Sequence, residues 1–261
     1  PYPRHLLGLR QTYYLSERRK TSCVDEVMDS VGVIFLSLGG STEHRLMTQE
    51  AIDSCIAEDE SVDFTVMVCE GIEGVEYTNA VTVRPPNNLP FNYNQYMNMC
   101  RSLPEFDECE YIALCNNDLI FEKGWASAII KKMKECDVMS ACPMDPTVHA
   151  DVKFEEGVCH GHSITIPPRQ IAGWCIFQDL RIYDTIKRLD ERPQFWHADS
   201  IYAWQLLDSN LAHILVEDSK VRHLNSKTIS SSLIPSYIKE LYTTESPINI
   251  EIFNAQQREN K

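Results

Sequence analysis

Tyr111-Ile112-Ala113-Leu114-Cys115-Asn116-Asn117-Asp118-Leu119-Ile120-Phe121 decides the fold class of this chain. An apolar run ends in two amides and a carboxylate, then turns apolar again. The run predicts a buried strand that delivers a polar triplet to its own carboxyl end, with a second short strand leading away. Open α/β sheets bind ligands outside the carboxyl ends of their strands. The triplet reads in one of two ways. It is an Asn-Asn-Asp turn, since these residues favour turns, or it is a place where carboxylate oxygen meets Mg²⁺ or Mn²⁺ on a diphosphate.

The sequence on either side supplies an alternating rhythm. Residues 31–38 (VGVIFLSL) form an apolar run that ends in Gly39-Gly40-Ser41-Thr42, a strand followed by a turn and a helix cap. A helix is expected over 44–57, with Leu46, Ala51, Ile52 and Ile56 on one face. Strands are expected over 63–69, ending at Glu70-Gly71, over 80–84, ending at Pro85-Pro86, and over 110–115. Helices are expected over 91–101 and 124–136, and another strand over 137–142. This order predicts a largely parallel sheet covered by helices on both faces. Residues 143–170 break the rhythm with Pro, His, Gly and acidic residues, a length of irregular chain that marks a functional or a mobile loop. Order returns as a strand over 171–177, a helix over 180–189, a helix opened by Phe195-Trp196-His197-Ala198-Asp199-Ser200 and running through 207, and a strand over 213–216. Residues 1–30 show no core pattern. The end of the chain is Ser-rich, helical around 236–242, and suited to packing on the domain or to assembly.

Composition narrows the function classes. A length of 261 residues buries a substantial core, as one large domain or one domain plus appendages. The formal charge of -14 opposes a broad nucleic-acid footprint. Arg18-Arg19-Lys20 is the one dense basic cluster and reads first as a solvated helix face. The ten cysteines do not read as a disulfide framework, because several lie inside apolar runs and the chain is too long to need staples. No Cys-x-x-Cys pair supports a structural zinc site. No signal peptide and no span-length apolar stretch occurs, so a reducing, cytoplasmic setting is expected. Pro1 in place of Met predicts trimming at the front. Neither a G-x-G-x-x-G fingerprint nor a Walker A loop is present.

Taken in order, VGVIFLSLGGS, VMVCEG, YIALCNNDLIFEKGW and FWHADSIYAWQLLDSNLAHILVEDSKVRHLNSKT resemble the GT-A glycosyltransferases, most closely the large inverting family 2. The resemblance covers roughly residues 31–228. It implies a GT-A domain over 31–228, a Rossmann-like, mostly parallel sheet flanked by helices, with an N-terminal extension (1–30) and a C-terminal helical tail (229–261). It also implies transfer of a sugar from a nucleoside diphosphate to an acceptor hydroxyl with inversion. Asp118 then matches the last carboxylate of the metal motif and would hold Mn²⁺ or Mg²⁺. His223 would complete that metal site. Asn116 and Asn117 stand where many members carry Asp, and would bind ribose or water on the donor side without adding charge. Glu70 matches the acidic residue that reads the nucleobase or ribose. Asp199 matches the catalytic base, with Ala198 where many relatives carry Glu.

Trp174, Trp196 and His197 are expected on the acceptor side, where aromatic faces pack against sugar rings. Asn92 and Asn94 read as helix caps or donor-site residues. His160 and His162, a His-Gly-His in the irregular loop, read as acceptor-side contacts or incidental residues. Two other functions compete: a catalytically silent GT-A-like module that binds a nucleotide sugar or a partner, and a nucleotidyltransferase. The latter lacks a basic residue directly after Gly39-Gly40-Ser41. The donor nucleotide (UDP, GDP or dTDP) and its sugar are open. So is the acceptor: a glycan, a lipid-linked sugar, a protein, a small metabolite or a hydroxymethylated viral DNA base.

Overall fold

The computed structural model describes residues 28–86, 91–165, 168–224 and Glu240. Arg18-Arg19-Lys20 with most of the 1–30 extension, the Ser-rich segment, and the expected helix around 236–242 except Glu240 lie outside the described residues.

The elements run β1 (Ser30–Ser37), α1 (Thr42–Ala57), β2 (Asp63–Glu70), β3 (Val81–Val83), α2 (Tyr93–Arg101), β4 (Tyr111–Asn116), β5 (Leu119–Phe121), α3 (Trp125–Cys136), β6 (Ser140–Met144), β7 (Val158–His160), β8 (Cys175–Asp179), α4 (Tyr183–Ile186), α5 (Ala198–Asp208) and β9 (Ile214–His223). Across the sheet the order is β3-β2-β1-β4-β8-β6-β9-β5, and β7 also pairs with β9. The strand order reverses at β1, with β2 on one side and β4 on the other. The carboxyl ends of β1 and β4 therefore frame a switch-point crevice.

Side-chain alternation assigns the helices to faces. Phe35 meets Phe121 edge-on at 6.1 Å, and Phe121, Phe64 and Phe177 all pack on Trp125 at the start of α3. Register places Phe64 beside Val31, and Ala113 beside both Val33 and Phe177, so these side chains share one face, which α1 and α3 cover. Gly32, one residue out of phase, points to the opposite face. A Cβ there would lie 2.5 Å from the Phe106 ring, so glycine is what lets the turn after α2 close on the sheet. On that face α5 also docks, its Tyr202 hydroxyl 2.8 Å from Ser140 Oγ of β6. Helices on both faces thus agree with the expectation from the sequence.

Local chemistry fixes the helix ends. Ser41 caps α1 by accepting from the His44 amide at 3.1 Å. Gly124 precedes α3 in a left-handed conformation and offers no capping side chain. Asp59, from the turn after α1, accepts instead from the Ala126 and Ser127 amides at 3.0 and 2.7 Å.

Several expectations change. The sheet is mixed rather than largely parallel: β4–β8, β6–β8, β5–β9 and β7–β9 are antiparallel, against four parallel pairings. Leu46 is exposed at 65 %, because α1 buries His44, Met47, Thr48, Ala51, Ile52 and Cys55 instead. The strand expected over 171–177 begins only at Cys175. Ile171 and Ala172 are buried as core, but the chain turns at Gly173-Trp174 before it pairs with β4. The helix expected over 180–189 shrinks to a 3-10 turn and the four residues of α4, stopped at Lys187 with φ 61°. Beyond it, α2 takes hold of the backbone. Asn98, Asn94 and Asn92 donate to the carbonyls of Leu189, Asp190 and Glu191 at 2.7–2.8 Å. The irregular stretch contains β7, and the final strand is ten residues long rather than four. No helix among the described residues is long and apolar enough to cross a membrane. The nine described cysteines are free thiols.

Candidate active site

A cavity of about 580 Å³ opens at the carboxyl ends of β4 and β9. The site residues Asn116, Trp174, Trp196, His197, Asp199 and His223 line it together. They come from the end of β4, the turn before β8, the entry to α5 and the end of β9, segments far apart in the chain.

β5 explains how the first and last of these meet. Its antiparallel pairing with β9 sets Leu119 opposite His223, and the Leu224 amide donates to the Asp118 carbonyl at 2.9 Å. Asp118 Oδ1 lies 3.3 Å from His223 Nε2. That separation is within ion-pairing reach, but Nε2 is buried and has no aligned hydrogen-bond acceptor among the described residues. Asp118 is 2 % exposed and stands behind His223 rather than in the cavity lining. The imidazole stacks on the Trp174 indole, ring centres 5.7 Å apart and planes 15° apart. The His223 amide donates to Asp145 Oδ2 at 2.8 Å, which anchors the strand end.

Asp199 is the second residue of α5. The N-terminal turn of a helix favours a carboxylate charge. Oδ1 accepts from the Ser200 amide at 2.8 Å, and Oδ2 accepts from Arg169 Nη2 at 3.0 Å. Immediately before α5, His197 adopts φ 62°, a left-handed backbone unusual outside glycine and typical of constrained functional sites. Gly173 is the neighbour of Asp199 across the cavity wall. A Cβ at 173 would stand 3.0 Å from Asp199 Cβ. Phe195 packs edge-on against Trp196 at 5.0 Å and also touches Phe91 and Tyr93, which sets an aromatic wall beside the carboxylate.

Glu70 and Asn117 are not brought to the cavity. Glu70 is fully buried and accepts from the Gly39 amide, the Ile72 amide and the Tyr77 hydroxyl at 2.7–3.1 Å. Burial, with Glu70 adding to it, pushes the Tyr77 phenol up to about 12, so it stays protonated as a donor. Asn117 donates to Thr48 at 2.9 Å. Ser37 bridges Thr48 and Tyr77, so one buried network ties the ends of β1, β2 and β4 together. Asn94 does line the cavity, while Asn92 caps α2 by accepting from Gln95. His162 is turned to the Leu211 carbonyl at 2.8 Å.

Arg169 went unrecognised in the sequence. It sits near the end of the irregular stretch, where no periodicity forecasts a partner thirty residues away. Two buried imidazoles fix its backbone: His149 Nε2 contacts the Arg169 carbonyl at 2.9 Å and His213 Nε2 contacts that of Gln170 at 3.1 Å. Both histidines are pushed down by burial, His213 to about 3.

The donor set at Asp118 and His223 is one carboxylate and one imidazole nitrogen. Among the described residues no group of three or more His, Cys, Asp or Glu converges on a metal position. Two protein ligands with room for phosphate and water are a common arrangement for Mg²⁺ and Mn²⁺, and the unsatisfied Nε2 beside a carboxylate oxygen suits a cation between them. No protein-family model matches this chain, and no curated protein matches it significantly.

Proposed function

We propose that this protein is a GT-A-type inverting glycosyltransferase that moves a sugar from a nucleoside diphosphate to an acceptor hydroxyl. One observation carries the proposal: a single cavity at the carboxyl ends of β4 and β9 joins Asp199, at a helix N-terminus, to His223, behind which Asp118 stands, with aromatic faces in the same lining.

Inverting displacement needs a base on the acceptor hydroxyl, a held acceptor and a stabilised leaving diphosphate. Asp199 is the base and takes the hydroxyl proton as the new C–O bond forms. A carboxylate serves as the base because the proton moves late in such a displacement. Trp196 and His197 hold the acceptor beside it. Trp174 packs a ring face and buttresses His223. The Asn116 amide offers a donor and an acceptor to ribose or phosphate. Asp118 and His223 would hold Mn²⁺ or Mg²⁺, which supplies the positive charge that a diphosphate leaving group requires. Glu70 and Asn117 support this site by fixing the turn at Gly39 and the end of β4, not by touching the donor. The free cysteines suit a reducing, cytoplasmic location.

The test is a panel of UDP-, GDP- and dTDP-sugars, with and without Mn²⁺, scored by thermal shift and by donor cleavage. Metal-dependent stabilisation and cleavage by wild type, with cleavage lost in Asp199→Asn, is the expected result. One feature favours the silent, binding-only alternative: both Asp199 oxygens are already engaged. Nucleotide-sugar binding with no turnover of any donor would select it.

A further inference from the structure

Two charges face each other across the acceptor side of the cavity. Among the described lining residues Arg169 is the one Arg or Lys and Asp199 the one carboxylate, and they are paired at 3.0 Å. A base in this state is poorly placed to work. The guanidinium occupies Oδ2, while the Ser200 amide holds Oδ1. Arg169 is less fully committed. Its Nε reaches the Ile171 carbonyl at 3.4 Å and its Nη2 reaches Asp199, and among the described residues its other N–H groups have no partner. A guanidinium carries five donors in a planar fork that matches a carboxylate or phosphate. The backbone beneath it is clamped by His149 and His213, so the side chain turns on a fixed base.

We propose that Arg169 selects an acceptor bearing an anion, a carboxylate or phosphate near the reacting hydroxyl, and that Asp199 occupies the Arg169 fork only until that anion arrives. This rests on Asp199 being the base of a glycosyl transfer. Binding of the acceptor moves the guanidinium from Oδ2 to the acceptor anion. That exchange frees Oδ2 at the moment a hydroxyl is beside it, so the base is unmasked by the acceptor that needs it and water alone is a poor trigger. Neutral sugars leave the pair closed. The inference accounts for the engaged base and for a fixed cation in the cavity of a protein with a formal charge of -14.

The exchange predicts opposite signs for its two partners. Glucuronate, glucose 6-phosphate and glucose are titrated calorimetrically into wild type, Arg169→Gln, Arg169→Lys and Asp199→Asn, each saturated with UDP and Mn²⁺. Wild type is expected to bind one of the two anionic sugars at least tenfold more tightly than glucose, and which one binds identifies the anion. Arg169→Gln loses that preference and Arg169→Lys recovers part of it. Asp199→Asn tightens anion binding several-fold, because the internal competitor is gone. Equal binding of all three sugars by wild type, including no binding of any, overturns the inference, as does an unchanged preference in Arg169→Gln. A weakened UDP affinity in Arg169→Gln with intact sugar preference overturns it too, and assigns the residue to the donor. Donor cleavage by wild type is measured alongside, with the UDP-, GDP- and dTDP-sugars in the presence of the anionic sugar that binds best. Its absence with the anion preference intact refutes the transferase reading and leaves the anion site standing.

Discussion

The β3-β2-β1-β4 half of the sheet and the β8-β6-β9-β5 half divide the labour of this molecule. The first is wholly parallel, and its polar strand ends are consumed by one another: Glu70, Tyr77, Ser37, Thr48 and Asn117 bond among themselves. The second half mixes strand directions, and with the chain packed on it supplies Arg169, Trp174, Asp199 and His223 to the cavity. From β4, Leu114 and Asn116 line the cavity, with Asp118 behind His223. The lesson is that a half whose polar strand ends satisfy one another frames a half whose polar side chains line the cavity, as expected when sites are carried on a scaffold.

The largest effect that would sharpen this contrast is acid sensitivity in the second half. His213 joins Ser140 of β6 to the Gln170 carbonyl, near His162, and burial holds it neutral down to about pH 3 against 6.5 when free. The unfolded chain takes up that proton first. The stability from a neutral His213 is therefore complete above pH 6.5 and lost as pH falls towards 3, by as much as about 5 kcal/mol. Urea midpoints at pH 7, 5 and 4 measure the slope, and His213→Gln should flatten it.

Next in size, Asp199→Asn should lower transfer roughly 10²- to 10⁴-fold while leaving the melting temperature near that of wild type. Loss of the fold instead would make Asp199 structural. Asp118→Asn should abolish the stabilisation that Mn²⁺ gives in the presence of a nucleotide sugar, worth about 2.7 kcal/mol at a hundredfold excess over Kd. An unchanged shift would separate Asp118 from the metal. Gly173→Ala adds a methyl 3.0 Å from Asp199 Cβ, and a roughly tenfold fall in turnover is expected from a displaced base. The smallest effect belongs to the scaffold: Asp59→Ala removes the remote cap of α3 and should cost about 1 kcal/mol of stability, with turnover unaltered. Turnover falling with it would mean that the two halves are not independent.

The sequence was most legible where structure is local. The ends of β1, β2 and β4 follow from apolar runs closed by Gly, Glu and Asn, and α3 from its apolar period. The second half depends on partners far away. Cys175 pairs with Cys115, sixty residues earlier, and nothing in Ile171-Ala172-Gly173 marks where that pairing begins. β7 is three residues long and exists because β9 offers an edge. The same division holds for the site. Asp199 and His223 stand out through their neighbours in sequence, whereas Arg169 is defined by the carboxylate it meets in space. Glu70 shows the converse. An acid at a strand end looks available in sequence, yet three donors converge on it in the fold.

The buried cysteines make each half of the sheet report on itself. Cys69 and Cys100 meet between β2 and α2, whereas Cys142 lies in β6 and Cys175 in β8. All four are buried; the hydrogen bond with Cys69, then burial, raises the pKa of Cys100, and burial raises those of Cys142 and Cys175, which leaves little thiolate for an alkylating reagent in the folded state. Each thiol reacts when its own surroundings open. Timed alkylation followed by peptide mapping would therefore clock the opening of the two halves separately, using sulfur atoms the chain already carries.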